Sequence, residues 1–166
     1  MVIPYARQSI SQQDINAVAE VLQSDYLTQG PVVPAFEDAV AELVGAKYAV
    51  AGNSATSMLH VACLALGVTA GDRVWTAPNS FVASANCALY CGAEVDFVDI
   101  DSETFNMSPT ALAVKLEQAS KSNTLPKVII AVHMGGQSCD MQSIGKKAKQ
   151  YGIKVIEDAS HAIGGS

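Results

Sequence analysis

The sequence carries neither of the glycine-rich phosphate-binding patterns, G-x-G-x-x-G or G-x-x-x-x-G-K-[ST], and no acidic residue at the ribose-binding spacing that follows the first of them. Those absences count against a dinucleotide-binding or P-loop domain. Charge is also scarce: 16% of residues are charged, and 10 Lys+Arg against 16 Asp+Glu leave a net charge of -6. That sign argues against a nucleic-acid surface, so Lys146, Lys147 and Lys149 read as the solvated face of a helix. The four cysteines, Cys63, Cys87, Cys91 and Cys139, form no C-x-x-C pair, and no histidine spacing completes a zinc site around Cys87 and Cys91. They read as small buried residues with free thiols. No apolar run approaches the length of a membrane span, and Met1–Gln8 lacks the charged-then-apolar order of a secretory signal. A cytoplasmic location without membrane or nucleic-acid partners is the default expectation.

What is present is apolar residues, 49% of 166, enough for one sizeable core. There is no internal repeat, low-complexity tract or linker. The chain is organised around the stretch from Lys47 to Gly67. Tyr48–Ala51 reads as a short buried strand that stops at Gly52-Asn53, and a helix follows at once, capped by Asn53 or Ser54. Leu59, Ala62, Cys63 and Leu66 then recur at helical spacing, and Gly67 suits the exit. The first amides of such a helix lack internal partners and carry the positive end of its dipole, so Ser54-Ala55-Thr56 forms a candidate phosphate cradle. The same residues also fit an ordinary strand-to-helix turn with a capping serine.

Ser11-Gln12-Gln13-Asp14 has the form of a capping box and predicts a helix from about Ser11 to Gln23. Leu27-Thr28-Gln29-Gly30-Pro31 is turn-rich and reads as a connector, and a second helix spans about Pro34 to Gly45. Beyond the cradle, strand-like runs at Arg73–Ala77, Val95–Asp99, Lys127–Val132 and Ile153–Glu157 alternate with helical patterns at Phe81–Cys91, Pro109–Ser120 and Met141–Tyr151. Ser108 and Asp140 are candidate caps, Pro109 suits a first helical turn, and Gly92 and Gly152 follow helices. Such alternation predicts an α/β fold with a mainly parallel sheet flanked by helices.

Ligands of such sheets bind beyond the carboxyl ends of the strands. There the sequence collects Asn53 to Thr56, Pro78-Asn79-Ser80-Phe81, Asp99 and Asp101, His133-Met134-Gly135-Gly136, and Asp158-Ala159-Ser160-His161. An acid, an aromatic ring, two histidines and the phosphate cradle are therefore expected on one rim.

Taken in order, the segments L-T-Q-G-P (Leu27–Pro31), F-E (Phe36-Glu37), G-N-S-A-T-S-M (Gly52–Met58), L-G-V-T-A-G-D (Leu66–Asp72), P-N-S-F-V-A-S-A-N (Pro78–Asn86), G-A-E-V-D-F-V-D-I-D (Gly92–Asp101), V-H-M-G-G-Q (Val132–Gln137) and I-E-D-A-S-H-A-I-G (Ile156–Gly164) resemble the DegT/DnrJ/EryC1/StrS sugar aminotransferases, a family of fold-type I pyridoxal-phosphate enzymes. Within it, the forms of these segments are most similar to transaminases of the UDP-4-amino-4,6-dideoxy-N-acetyl-altrosamine type. The resemblance implies an N-terminal arm and helix over residues 1–30, followed by the first part of the cofactor-binding large domain over 31–166. It implies that Asp158 pairs with the pyridine nitrogen of pyridoxal phosphate, that Phe81 stacks on the ring, and that the amides of Ala55 and Thr56, with Ser54 beside them, hold the phosphate. His161 matches a position near the cofactor's phenolic oxygen, and Thr28 and Gln29 lie in a segment that approaches the substrate.

The resemblance also implies a Schiff-base lysine downstream of the E-D-A-S-H-A motif, and none of the eight lysines fits that role. Lys115, Lys121, Lys146, Lys147 and Lys149 fall on or beside exposed helix surface, whereas Lys47, Lys127 and Lys154 open strands at the opposite rim. Lys154 stands four residues, roughly 13 Å of strand, before Asp158. The expectation is the N-terminal portion of an aminotransferase acting on a nucleotide-linked keto-sugar with an amino acid, glutamate, as donor, inactive by itself and self-associating as a homo-oligomer. Two alternatives stay open: a non-catalytic self-associating module, and a fragment of a related sugar dehydratase.

Overall fold

A computed structural model describes residues 7–165, so the first six residues of the expected arm and Ser166 lie outside it. The chain divides into two compact units, residues 1–51 and 52–166. The first holds helices α1 (Gln12–Leu22) and α2 (Val32–Val44). Ser11 caps α1 through the predicted box: its hydroxyl accepts from the Asp14 amide, and the Asp14 carboxylate accepts from the Ser11 amide at 2.7 Å. Gly45 ends α2 in the left-handed region, at φ 65°.

The expected strand at Tyr48–Ala51 does not form. A strand needs a neighbour for its backbone groups, and none of the four described strands pairs with this segment. The Ala51 amide donates instead to Glu37 Oε1 at 2.8 Å, and Tyr48 and Val50 are exposed.

The second unit contains α3 (Ala55–Ala65), β1 (Arg73–Thr76), α4 (Ala83–Tyr90), β2 (Glu94–Phe97), α5 (Pro109–Ser122), β3 (Val128–Val132), α6 (Met141–Tyr151) and β4 (Lys154–Asp158). All strand pairs are parallel, in the order β2-β1-β3-β4. The chain thus moves outward from β1 to β2, then crosses back to the other side of β1. Loops leaving β1 and β3 diverge there, which is where open parallel sheets place ligands.

Side chains alternate across each strand, and the alternation sorts the core into two layers. Val74 of β1 with Val128 and Ile130 of β3 pack against Leu59 and Cys63 of α3 and Ala83, Cys87 and Ala88 of α4. Trp75, Ile129 and Ala131 face the other way, against Leu112 and Leu116 of α5 and Ile144 and Ala148 of α6. The sheet is therefore covered by helices on both faces.

Local signals end the helices as expected. The hydroxyls of Ser54 and Ser108 and the carboxylate of Asp140 cap α3, α5 and α6, and Gly152 closes α6. α5 ends differently, at Asn123, a residue that tolerates its φ of 57°. Of the cysteines, Cys63, Cys87 and Cys139 are buried and Cys91 is half-buried, all as free thiols. Cys63 Sγ lies 3.7 Å from Cys87 Sγ, and this contact together with burial pushes the Cys87 thiol well up, so it stays protonated and unreactive. Among the described residues no helix is long and apolar enough to cross a membrane.

Ile130→Ala, at a fully buried position of the central strand, is expected to lower unfolding free energy by about 2–5 kcal/mol, read from denaturant midpoints. Acid stability follows from three turns. The Lys127 ammonium beside Asp72, the Thr104 amide beside Asp101 and the Ser143 amide beside Asp140 each hold a carboxyl below its ordinary range. A depressed folded value contributes stability above the unfolded value, about 3.9, and that stability is lost as pH falls through the folded values. Melting temperature should therefore fall below about pH 4, and between pH 7 and 3 D72N should lose less of it than wild type does.

Candidate functional site

β4 runs in register with β3, Val128 opposite Lys154 and Val132 opposite Asp158. Asp158 thus stands level with the carboxyl end of the central strand, and the His133 amide continues the ladder to the Asp158 carbonyl at 3.1 Å. Its carboxylate is half-buried. Oδ1 accepts from the Ser160 hydroxyl at 2.6 Å and the Ser160 amide at 3.2 Å; Oδ2 accepts from the Ser84 hydroxyl at 3.1 Å. An open groove of about 400 Å³ runs between Ala55, Met58 and Ala62 of α3 and Ile156, Asp158 and Ser160. The structure therefore brings the start of the cradle helix and the strand-end acid together.

The cradle has the form its sequence suggests. Ser54 Oγ accepts from the Ser57 amide at 3.2 Å and donates to Ser57 Oγ at 3.1 Å, and the Ser54 carbonyl accepts the Met58 amide. The Ser54 hydroxyl is thus committed to capping. Among the described hydrogen bonds the amides of Ala55 and Thr56 have no protein partner, leaving two donors at the positive end of α3. A groove lined by the Asp158 carboxylate and by Ala55, where the amides of Ala55 and Thr56 are free, suits a ligand with a basic ring nitrogen and a phosphate, and pyridoxal phosphate fits this donor set.

Other expected residues are placed less centrally. Phe81 is 73% exposed and precedes α4, which begins at Ala83 rather than at Phe81; the Phe81 carbonyl accepts the Ser84 amide at 3.1 Å. His161 is exposed on the turn after β4. Thr28 and Gln29 are exposed in the first unit, with Gln29 at φ 54°. His133, expected on the rim, is instead buried and structural: Nδ1 accepts the Cys139 amide at 3.1 Å, and Nε2 faces Glu157 Oε2 at 3.2 Å. No lysine lines the groove.

Three residues gain their roles only from the structure. Ser84 and Ser160 hold the Asp158 carboxylate. Asn106 is buried and donates to the carbonyls of Gln137 and Ser138 at 3.0 and 3.2 Å while accepting the Met134 amide at 2.9 Å, which pins the loop after β3. Ser84 has a sequence signal, a lone hydroxyl on the face otherwise formed by Ala83, Cys87 and Ala88. Asn106 has none, since its partners are about thirty residues away.

That pinned loop touches the turn after Asp158 through Gly136. At φ 91° a Cβ on Gly136 would stand 2.8 Å from the His161 carbonyl oxygen, closer than real contacts allow.

Comparison with known proteins extends the geometry. The sequence pattern of the DegT/DnrJ/EryC1/StrS aminotransferase family matches residues 8–166. The chain is 43% identical over 162 residues to the UDP-4-amino-4,6-dideoxy-N-acetyl-beta-L-altrosamine transaminase of Campylobacter jejuni, covering 98% of this chain and 42% of that protein. It is 42% identical over 156 residues to a Bacillus subtilis protein named as the putative pyridoxal phosphate-dependent aminotransferase EpsN, covering 93% of this chain and 40% of that one. Among solved structures, Helicobacter pylori PseC, described as an aminotransferase of pseudoaminic acid biosynthesis, superimposes with a TM-score of 0.87 at 33% identity, over 97% of this chain and 42% of its own. The chain spans about 40% of the length of the curated relatives it matches.

Gly136→Ala should cost about 1–3 kcal/mol, through backbone strain plus the contact with His161. Gly135→Ala, also at positive φ but with open space around its Cβ, should cost only about 1 kcal/mol. Equal losses of melting temperature in the two variants would sink the close-contact argument.

Proposed function

The chain belongs to the DegT/DnrJ/EryC1/StrS aminotransferase family, and from that premise we propose that it is the cofactor-binding N-terminal part of a pyridoxal-phosphate-dependent aminotransferase that acts on a nucleotide-linked keto-sugar, with an amino acid, glutamate, as donor. The observation that carries the reading is the groove shared by Asp158 and the start of α3. Bound pyridoxal phosphate supplies an electron sink for charge developed on the substrate carbon. The chain's own residues do the holding. Asp158 would meet the ring nitrogen as an acceptor, the amides of Ala55 and Thr56 would hold the phosphate, and the resemblance assigns Phe81 to a ring face and His161 to the side of the phenolic oxygen. Thr28 and Gln29 are assigned to the substrate. The altrosamine-type nucleotide sugar is the favoured substrate class, supported by identity to the Campylobacter enzyme.

Amino transfer also needs a base that anchors the cofactor and moves a proton between carbons. Among the described residues Lys115, Lys121 and Lys127 are engaged with Asp96, Glu117 and Asp72, and Lys154 opens β4 at the far end from Asp158. The 166-residue chain is therefore assigned cofactor binding without covalent attachment and without turnover. A second reading, a self-associating non-catalytic module, is favoured by apolar residues left on α3 and α4: Val61, Leu64, Leu89 and Tyr90 are all exposed. A homo-oligomer that covers them is compatible with both readings, and its cytoplasmic location is part of the proposal.

The test is incubation of the purified 166-residue protein with pyridoxal phosphate, followed by absorbance and intact-mass measurement before and after borohydride reduction. Saturable binding that inorganic phosphate competes away and dialysis removes, with no mass adduct after reduction, is expected. Failure to bind at all overturns cofactor binding, and a stoichiometric adduct on one lysine overturns the non-covalent assignment.

A further inference from the structure

The Asp158 carboxylate is held from two sides by different elements, and one side is a buried chain of hydroxyls. Ser84 is fully buried, and its hydroxyl donates to Asp158 Oδ2 at 3.1 Å. The Ser80 and Ser84 hydroxyls lie 2.6 Å apart. A serine has a single hydroxyl hydrogen. Because that of Ser84 goes to Asp158, Ser84 Oγ accepts from Ser80 across the 2.6 Å contact; the one Ser80 hydrogen is then not free for the Phe81 carbonyl at 3.2 Å, and the chain runs Ser80 to Ser84 to Asp158. On the other side Ser160, next but one in sequence, supplies a hydroxyl and an amide to Oδ1.

We propose that Ser84 is a positioning residue for Asp158: the Ser80–Ser84 chain holds the Asp158 side chain in one rotamer and ties it to the turn that carries Phe81. The physical need is plain. An aspartate side chain turns about χ1 among three staggered rotamers as well as about its broad terminal torsion, and Ser160 grips only one of the two oxygens. An acceptor that must meet a ring nitrogen in one direction requires the second oxygen to be held by something that does not move with β4, and α4 provides it. The same pair borders Phe81, since Ser80 immediately precedes it and the Ser84 amide donates to the Phe81 carbonyl at 3.1 Å. The acid and the turn before α4 thereby share one support. This inference rests on the cofactor-binding reading for its purpose, though not for its geometry.

Two measurements on the 166-residue protein separate the inference from that reading. In the ligand-free protein, NMR three-bond couplings of Asp158 report its side-chain rotamer. One rotamer is expected in wild type, averaging among rotamers in Ser84→Ala, and partial averaging in Ser80→Ala, where Ser84 keeps its own bond. Ser80 is only half-buried, so its variant serves should Ser84→Ala fail to fold. The second measurement is pyridoxal phosphate affinity. Ser84→Ala is expected to weaken it about tenfold in wild type and by less than twofold in an Asp158→Asn background, with affinity for inorganic phosphate unchanged throughout. An unaltered Asp158 rotamer in both serine variants overturns the proposal. So does an equal loss of affinity in the Asp158→Asn background, which would mark Ser84 as merely structural. If wild type binds no pyridoxal phosphate, the functional reading falls and the rotamer measurement alone decides whether Ser84 positions Asp158.

Discussion

Burial of β3 on both faces is the constraint on which the rest of the second unit depends. Val128, Ile129, Ile130 and Ala131 are all fully buried, so none of their backbone groups can turn to water. Each must be met by a parallel neighbour, and β1 and β4 supply the pairing. Parallel neighbours require crossovers, and the crossover helices α5 and α6 in turn cover one face while α3 and α4 cover the other. An apolar run of five residues thus dictates the layers, the strand order and the helices that close them.

It also places the candidate site. Once β4 lies in register with β3, Asp158 arrives at the carboxyl rim with no freedom along the strand, and the turn that follows must pass the loop pinned by Asn106. The contact at Gly136 leaves room for backbone and nothing more. On the opposite wall, α3 starts where Ser54 lets it, and its first residue, Ala55, lines the same groove. The acid is positioned by sheet register and the anion cradle by helix capping, two mechanisms that share only the groove between them.

How much of this could be read beforehand depended on the range of the interaction involved. Caps at Ser11, Ser54, Ser108 and Asp140 were legible because donor and acceptor are three residues apart. Strand-like runs alternating with helical patterns marked the four strands, although only β1 and β3 are buried, and the rim rule then picked out Asp158 and the Ala55–Thr56 turn. Tyr48–Ala51 has the composition of a strand but lacks a described partner, and composition cannot reveal whether a partner is present. His133 looked like a rim ligand because its place after β3 was visible, whereas its bonds to Cys139 and Glu157 were not. Ser84 and Asn106 were missed for a similar reason, since each acts on residues 28 to 74 positions away.

The placement of the ion pairs has a consequence of its own. Lys127–Asp72 and Arg73–Glu94 sit where β1, β2 and β3 begin, and all four side chains are partly open to solvent. The groove at the other end is held by hydroxyls and amides in short-range contact with Asp158 and by the unpaired amides of α3. Dissolved salt shortens the reach of attraction between exposed charges, to about 10 Å at 0.1 M and about 3 Å at 1 M, and leaves short hydrogen bonds of neutral hydroxyls and amides nearly untouched. The two ends of the sheet therefore differ in their sensitivity to ionic strength: brine loosens the rim where the strands begin, while the rim of the candidate site keeps its shape.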